Sequence, residues 1–329
     1  MEIRLKPFLK GAASFVVPQL RTVHKLNELS ALNPEFCYSI FLRHYSHVAP
    51  HLSNSVPVVV AELGPGSSLG VGLCALLCGA RIYHALDFVD HTDATTNLRV
   101  FDALVEMFRK RRPVPGDDTT FPTPVSWDFP AGLVMADDDR IRALREDLVN
   151  KKNKFIRIAA PWTSCSVPRE SVGWLWSHSV MEHADEIGQV WKCYATWLAH
   201  DGIMTHNIDY HCHGLTKHWN GHWSINDLFW KVIRGRRPYL LNRLPHSAQI
   251  ALANSCGFEV ISELIRVRPR GIPDSKLTPR FASSTTPRDR ETGEAFVILR
   301  RGGLQTLLSR TSELTLAGVP AHSRIMREA

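Results

Sequence analysis

The residues best suited to chemistry lie between positions 206 and 222, where five of the sixteen histidines of the chain follow one another closely. In an extended chain Asp209, His211 and His213 project to one face, and His206 has the opposite parity. Imidazole titrates near neutral pH, so a histidine here could act as a general base. We expect His211 nearest the reacting group and Asp209 to orient an imidazole. The candidate catalytic set is therefore His211, Asp209 and His213, with His206 as the alternative on the other face.

Two other interpretations of these histidines stay open. His and Asp side chains could hold a divalent metal that orients and acidifies a hydroxyl group. Alternatively, the rings could hydrogen-bond the loop backbone and fill space beside Trp219 and Trp223. For the cluster as a whole we favour substrate binding or catalysis, and we expect no metal.

A glycine-rich turn provides the second candidate site. The apolar run from Val56 to Ala61 indicates a buried parallel strand. Gly64 and Gly66 allow a sharp turn and a close approach to a ligand, and Ser67 could cap the next helix. Asp87 ends a second apolar run about 20 residues later, where a ribose diol would meet a carboxylate. These features predict an adenosine-type cofactor, and its expected contacts include Glu62, Gly64, Pro65, Gly66, Ser67, Asp87 and Phe88.

The spacing around this turn distinguishes between two kinds of cofactor. Nicotinamide enzymes use Gly-x-Gly-x-x-Gly, but here the third glycine, Gly70, comes one place late. Glu62 precedes the turn, and its carboxylate would repel a pyrophosphate but suits a ligand with an ammonium group. The Glu-x-Gly-x-Gly pattern resembles the first motif of class I S-adenosylmethionine-dependent methyltransferases.

The resemblance continues downstream and covers about residues 55 to 302. Residues 177–183 read Ser-His-Ser-Val-Met-Glu-His, and a helix over Ile187 to Ala199 and a strand over Ile203 to Ile208 follow them. Two late apolar segments match a closing antiparallel pair. The closest likeness is to bacterial methyltransferases of small molecules or sugars. It implies a Rossmann-like α/β fold, a seven-stranded, mostly parallel sheet with its last strand antiparallel, flanked by helices. It also implies S-adenosyl-L-methionine as cofactor, and adds Ser177 and His178 to its contacts.

The chain divides into a core and several additions. Helix-like spacing over Leu20 to Ala31 and Glu35 to Ala49 predicts a helical N-terminal cap, residues 1–55, over the sheet edge. The core spans 56–302, with an insertion or lid at 92–150 and a substrate-side insertion at 209–256. A tail covers 303–329. The stretch after the third strand lacks an acidic residue before Ser164, so we expect an apolar or backbone-mediated adenine pocket, with Trp162 in the core.

Composition limits the class of protein and its partners. The 329 residues include 44% hydrophobic and 22% charged residues, which is typical of a globular protein. No apolar run reaches the ~20 residues of a membrane span, the N-terminus lacks a signal-peptide pattern, and seven scattered cysteines suggest free thiols. We therefore expect a cytoplasmic protein without a membrane partner. A homodimer is compatible with the sequence.

The net charge of +7 permits an anionic partner. Basic clusters such as 109–112 and 234–237 are not interleaved with aromatic residues, so nucleic acid is not the expected partner. A sugar nucleotide or a phosphorylated saccharide would account for the same charge.

The sequence thus predicts S-adenosylmethionine-dependent methyl transfer to a small-molecule acceptor, at a hydroxyl of a sugar or a secondary-metabolite intermediate. The alternatives are an RNA methyltransferase, an inactive S-adenosylmethionine-binding interaction protein and, last, a nicotinamide oxidoreductase.

Overall fold

A seven-stranded sheet forms the centre of the structure, a computed structural model that describes residues 4–21, 31–52, 56–114 and 128–302. The strands are β1 (Val59–Leu63), β2 (Ile82–Leu86), β3 (Ile156–Ala159), β4 (Val172–His178), β5 (Leu198–Asp209), β6 (Phe258–Val267) and β7 (Thr292–Arg301). Their spatial order is β3-β2-β1-β4-β5-β7-β6. The pairs from β3 to β5 are parallel, and β7 runs antiparallel to both β5 and β6. The predicted fold class is confirmed.

Helices cover both faces of the sheet. Those before β4 are α1 (Leu5–Ala13), α2 (Pro34–Val48), α3 (Gly70–Leu77), α4 (Ala94–Arg109) and α5 (Asp138–Asn150). Those after β4 are α6 (Ile187–Trp197), α7 (Asp227–Arg234), α8 (His246–Ser255), α9 (Pro279–Ser284) and α10 (Pro287–Glu291). Short 3₁₀ turns span Pro18–Arg21, Ala49–His51, Gly221–Ser224 and Asp274–Lys276. Side-chain caps explain several starts: Asn33, Asp93 and Asp137 accept hydrogen bonds from the first turns of α2, α4 and α5.

Strand alternation separates two hydrophobic cores. On one face, Val60 packs with Tyr83 and Trp174 beneath α2, α3 and α4. On the other, Ala61 and Leu63 pack with the aromatic residues of α6. The helix predicted over Glu35 to Ala49 is confirmed as α2, but it lies on a face of the sheet, against α3 and α4, and not at its edge.

One local prediction is wrong, and three helices were not predicted individually. Ser67 does not cap α3, because that helix begins at Gly70 with Leu69 as N-cap. The amide of Leu69 donates to Asn97 Oδ1 in α4, at 2.9 Å. The three helices are α1, before β1, and α9 and α10, between β6 and β7.

Some predictions fall outside the described residues. They are most of the helix over Leu20 to Ala31, residues 115–127 of the insertion at 92–150, and the tail 303–329. Within the described ranges, no helix is both long enough and apolar enough to cross a membrane.

Candidate functional site

The strand order reverses between β1 and β4, and the turns that follow these two strands meet there. Gly64 and Gly66 have φ of +74° and +71°, a conformation that favours glycine. The amide of Gly64 donates to Leu86 O at 2.8 Å, which holds the turn against the end of β2. A Cβ on Gly64 would lie 2.4 Å from Val180 Cγ2, so the turn after β4 contacts it closely. Open α/β sheets bind ligands in such a crevice.

Asp87 is the first residue after β2 and lies beside this turn. Its Oδ1 accepts a hydrogen bond from the amide of Phe88 at 2.7 Å. Burial raises the pKa of Asp87, and the amides of Phe88 and Gly66 oppose that rise. The ring of Phe88 contacts Tyr239, with centroids 4.3 Å apart, and Trp162, at 5.5 Å. A carboxylate and an aromatic wall therefore lie next to the glycine turn.

Glu62 lies beneath the turn and not at its surface. Its side chain is buried, and Tyr83 Oη donates to its Oε2 at 2.5 Å. Burial raises the pKa of Glu62 to about 7, although hydrogen bonding by Tyr83 favours the charged form. This carboxyl group consequently gains or loses its proton near neutral pH.

The structure brings Asp209, His211 and His213 together at the end of β5. Asp209 Oδ1 accepts hydrogen bonds from the amide of His211, at 2.8 Å, and from its ring Nδ1. His213 Nε2 lies 3.6 Å from Asp209 Oδ2. Burial is the largest single effect and would raise the pKa of Asp209, but the hydrogen bonds from His211 and the charges of His211 and His213 together outweigh it, and the pKa is lowered. Asp209 is thus an ionised acceptor, and the side chain of His211, 27% exposed, remains accessible.

His206 and Ser177 lie elsewhere. The His206 ring is fully buried, stacked on Tyr194 at 5.3 Å and edge-on to Trp191. Its Nδ1 lies 2.8 Å from Ser177 Oγ, which is also fully buried. Burial lowers the pKa of His206 to about 3. We therefore correct both predictions and assign these two side chains to the core beside α6.

The other predicted contacts lie along the same edge of the sheet. His178 ends β4 and is partly buried; its Nδ1 lies 3.5 Å from His44 Nε2 in α2. Pro65 and Ser67 are partly exposed in the glycine turn.

Two ionisable residues that the sequence reasoning missed lie beside Asp209. Glu182 and His183 follow β4 and are 4% and 8% exposed. Burial raises the pKa of Glu182 well above its usual range, and the carboxylate of Asp209 adds to that rise. Both residues belong to the Ser-Val-Met-Glu-His run that supported the family resemblance, and that run was the available signal.

A third missed residue, Glu294, faces Asp209 across the β5–β7 pair. Its Oε1 accepts from Asn207 Nδ2 at 2.8 Å, and its Oε2 lies 3.2 Å from Arg266. Burial nevertheless raises the pKa of Glu294 to about 7. Three acidic side chains consequently gather at the end of β5, and among the described residues Asp209 and Glu294 have close side-chain partners whereas Glu182 has none.

Neither a protein-family model nor a curated protein matches the sequence. Solved structures do resemble it. A methyltransferase in complex with a methyltransferase activator of Haloferax volcanii is 13% identical, with 86% of this chain and 100% of the other covered and a TM-score of 0.42. Geranyl diphosphate C-methyltransferase from Streptomyces coelicolor is 11% identical over 79% of this chain and 78% of its own, with a TM-score of 0.43.

A sarcosine dimethylglycine methyltransferase from Galdieria sulphuraria is 11% identical over 80% and 84% of the two chains, with a TM-score of 0.42. The fold assignment depends on the strand order itself. With β7 inserted antiparallel between β5 and β6, the chain has the class I S-adenosylmethionine-dependent methyltransferase fold that its sequence resembles.

Proposed function

We propose that this protein binds S-adenosyl-L-methionine and transfers its methyl group to a hydroxyl group of a small molecule. One observation supports this most: a glycine turn with Asp87 beside it and an Asp209–His211 pair lie at the carboxyl edge of one parallel sheet. A nucleoside site and a base are thus placed along the edge where such sheets bind ligands.

The residues around the glycine turn suit the cofactor. The Asp87 carboxylate keeps the capacity to accept hydrogen bonds from ribose hydroxyl groups, because the Phe88 amide occupies only one of the lone-pair positions on its two oxygens. The backbone of Gly64 and Gly66 carries no Cβ that would block a nucleoside. A cationic ligand near Glu62 would favour its ionised form, because opposite charges within a few ångströms lower a carboxyl pKa.

Transfer to a hydroxyl group needs a proton acceptor. The carbon–sulfur bond of the sulfonium breaks as the carbon–oxygen bond forms, and the hydroxyl proton must leave. Because Asp209 accepts from His211 Nδ1, the neutral ring has its lone pair on Nε2. In this proposal His211 Nε2 takes the proton, and Asp209 stabilises the resulting cation.

The basic clusters favour a small acceptor over RNA, because several of their arginines already have partners. Arg237 donates to the carbonyl groups of Ile233 and Arg234. Arg234 lies 2.7 Å from Asp185, and Arg109 lies 2.7 Å from Asp138. These guanidinium groups hold helices and loops, so the charge of the chain is a weak argument for a nucleic-acid partner.

Calorimetry with S-adenosylhomocysteine, S-adenosylmethionine and NAD⁺ tests the cofactor. We expect the first two ligands to bind and NAD⁺ not to bind. Asp87→Asn should weaken S-adenosylhomocysteine about 10- to 150-fold, the equivalent of ~1.5–3 kcal/mol for hydrogen bonds to a charged group. The matched control is Asp90→Asn, since Asp90 is exposed and its carboxylate accepts hydrogen bonds from Thr92, outside the glycine turn. Equal affinities in both variants would rule out this role for Asp87.

The acceptor is tested by following S-adenosylhomocysteine formation with sugars, sugar phosphates, phenols, amines and RNA. We expect turnover with a hydroxyl-bearing small molecule. Turnover with RNA alone would replace this proposal with the RNA methyltransferase, and cofactor binding without turnover on any class would support the interaction protein.

A further inference from the structure

We infer that Glu182, His183 and His213 form a binding site for one divalent transition-metal ion beside the Asp209–His211 pair. One ligand atom from each of the three side chains lies within 4.8 Å of the other two. Two of the residues follow β4 and the third follows β5, so neighbouring parallel strands bring them to the same edge. The site is built from different turns and not from one exposed loop.

The strongest observation is the state of Glu182. Its side chain is 4% exposed, and within the part of the chain that the structure describes neither carboxylate oxygen has a side-chain partner or a hydrogen bond of good geometry, although the nearby amides of Glu182 and Asp209 favour its charged form. A buried carboxyl group without a partner is costly, and native proteins rarely leave one so. A cation held between Glu182 and the neighbouring rings would compensate this charge.

His183 is oriented as metal-binding histidines are. Its Nδ1 lies 2.8 Å from the carbonyl oxygen of Leu240 and 3.1 Å from that of Tyr239. Carbonyl oxygens only accept, so Nδ1 must carry the proton, and Nε2 of the neutral ring has a lone pair. Backbone carbonyls commonly fix the tautomer of a metal ligand in this way.

His213 completes the set from the opposite side. Its ring centroid lies 5.0 Å from that of His183, and its side chain is 32% exposed. The residue has φ of +46°, in the left-handed region, so it lies in a turn after β5. Asp209 Oδ2, at 3.6 Å from His213 Nε2, lies just outside the three ligands.

This ligand set selects the kind of ion. Two imidazoles and one carboxylate suit Zn²⁺, Fe²⁺ and related ions, whereas Mg²⁺ and Ca²⁺ prefer oxygen ligands. Ligand bonds of ~2.0–2.2 Å require the three side chains to converge by about 1 Å. Three protein ligands would leave a coordination position for an oxygen of the acceptor, and this last step rests on the proposed function.

Metal content and calorimetry on the full chain test the site, with Zn²⁺ as the probe and Mg²⁺ for comparison. A Cys165→Ser background removes an exposed thiol that could bind zinc by itself. We expect one Zn²⁺ per chain and no comparable binding of Mg²⁺. His213→Ala and Glu182→Gln should each weaken Zn²⁺ binding at least tenfold. His200→Ala, an exposed histidine at the start of β5, should leave it unchanged.

Glu182 is buried, so a weaker zinc affinity of Glu182→Gln could reflect a loss of stability. His213 lies in an exposed turn, so we expect His213→Ala to fold normally and to report on metal binding itself. Absence of bound zinc in the parent protein would overturn the inference. Equal zinc affinities in His213→Ala and His200→Ala would also do so. S-adenosylhomocysteine binding is measured on the same samples without metal. If zinc binds and S-adenosylhomocysteine does not, the result contradicts the proposed function but not the metal site.

Discussion

The carboxylate of Asp209 determines which nitrogen of His211 is free to react. Nδ1 donates to Asp209, so the lone pair is on Nε2 of an accessible ring. Such a pair also stabilises the imidazolium that forms when the ring accepts a proton, which is the arrangement a general base needs.

His211→Ala should therefore lower the turnover number ~10²–10⁴-fold, as expected for loss of a general base, with S-adenosylhomocysteine affinity nearly unchanged. Single-turnover kinetics with the identified acceptor would measure this effect. The control is His200→Ala, which lies at the start of β5, whereas His211 follows the end of that strand. Turnover of His211→Ala within threefold of the parent would return the histidine cluster to a purely structural role.

Glu62 makes the stability of the free protein depend on pH. Its pKa is about 7 in the folded chain and near 4.5 when exposed, so the folded state binds the extra proton between these values. The contribution of Glu62 to the free energy of unfolding is consequently fully present below pH 4.5 and is lost as the pH rises towards 7. A shift of about 2.5 pH units corresponds to a loss on the order of 3 kcal/mol.

Glu62→Gln should flatten this dependence, because the amide does not titrate and still offers Tyr83 an oxygen. Urea unfolding at pH 5 and pH 8 gives the two free energies for each protein. We expect the parent to lose more stability than the variant over this interval. Identical losses in the two proteins would show that Glu62 does not titrate in this range.

The turn between β1 and α3 illustrates what local sequence could and could not predict. Its glycines were recognisable because both need a positive φ, and the flanking strands because their apolar runs are continuous. The N-terminal cap of α3 was not recognisable, because the Leu69 amide donates its hydrogen bond to Asn97, which lies in another helix, 28 residues away. The local spacing of residues does not predict contacts between residues so far apart in the sequence.

Gly66→Ala is the sharpest test of this turn. Among the described residues, an added Cβ would meet only the Cβ of Ala31, at 3.8 Å, so the fold should tolerate it apart from ~1 kcal/mol or more of backbone strain. We expect S-adenosylhomocysteine affinity to fall at least tenfold. Gly79→Ala, with φ of +116° and no atom of the described residues within 4 Å of the added Cβ, controls for strain without touching the turn. Equal affinities in the two variants would place the cofactor elsewhere.

Across the whole molecule, the sheet explains why half of the candidate site was predictable. Asp209, His211 and His213 lie on one short stretch, so their nearness was predictable from the sequence, although the turn after β5 and not strand alternation brings the rings to Asp209. Glu182 and His183 reach them only because β4 pairs with β5, in a register that aligns Ser177 with His206. That pairing also explains why His206 is buried: its parity directs the ring towards α6. Such distinctions need the register, which one sequence does not provide.

S-adenosylhomocysteine and Zn²⁺ should therefore bind at two different places along the same edge of the sheet. Hydrogen exchange measured by mass spectrometry can compare the free protein with its S-adenosylhomocysteine and Zn²⁺ complexes. We expect the nucleoside to slow exchange around 64–67 and 86–88, and zinc to slow it around 181–184 and 211–214. At 100 times its Kd, either ligand should also raise stability by ~2.7 kcal/mol. Exchange in β6, at the far edge of the sheet, provides the internal reference. Identical protection patterns for the two ligands would contradict separate sites, because a binding event slows exchange most where it orders the backbone it contacts.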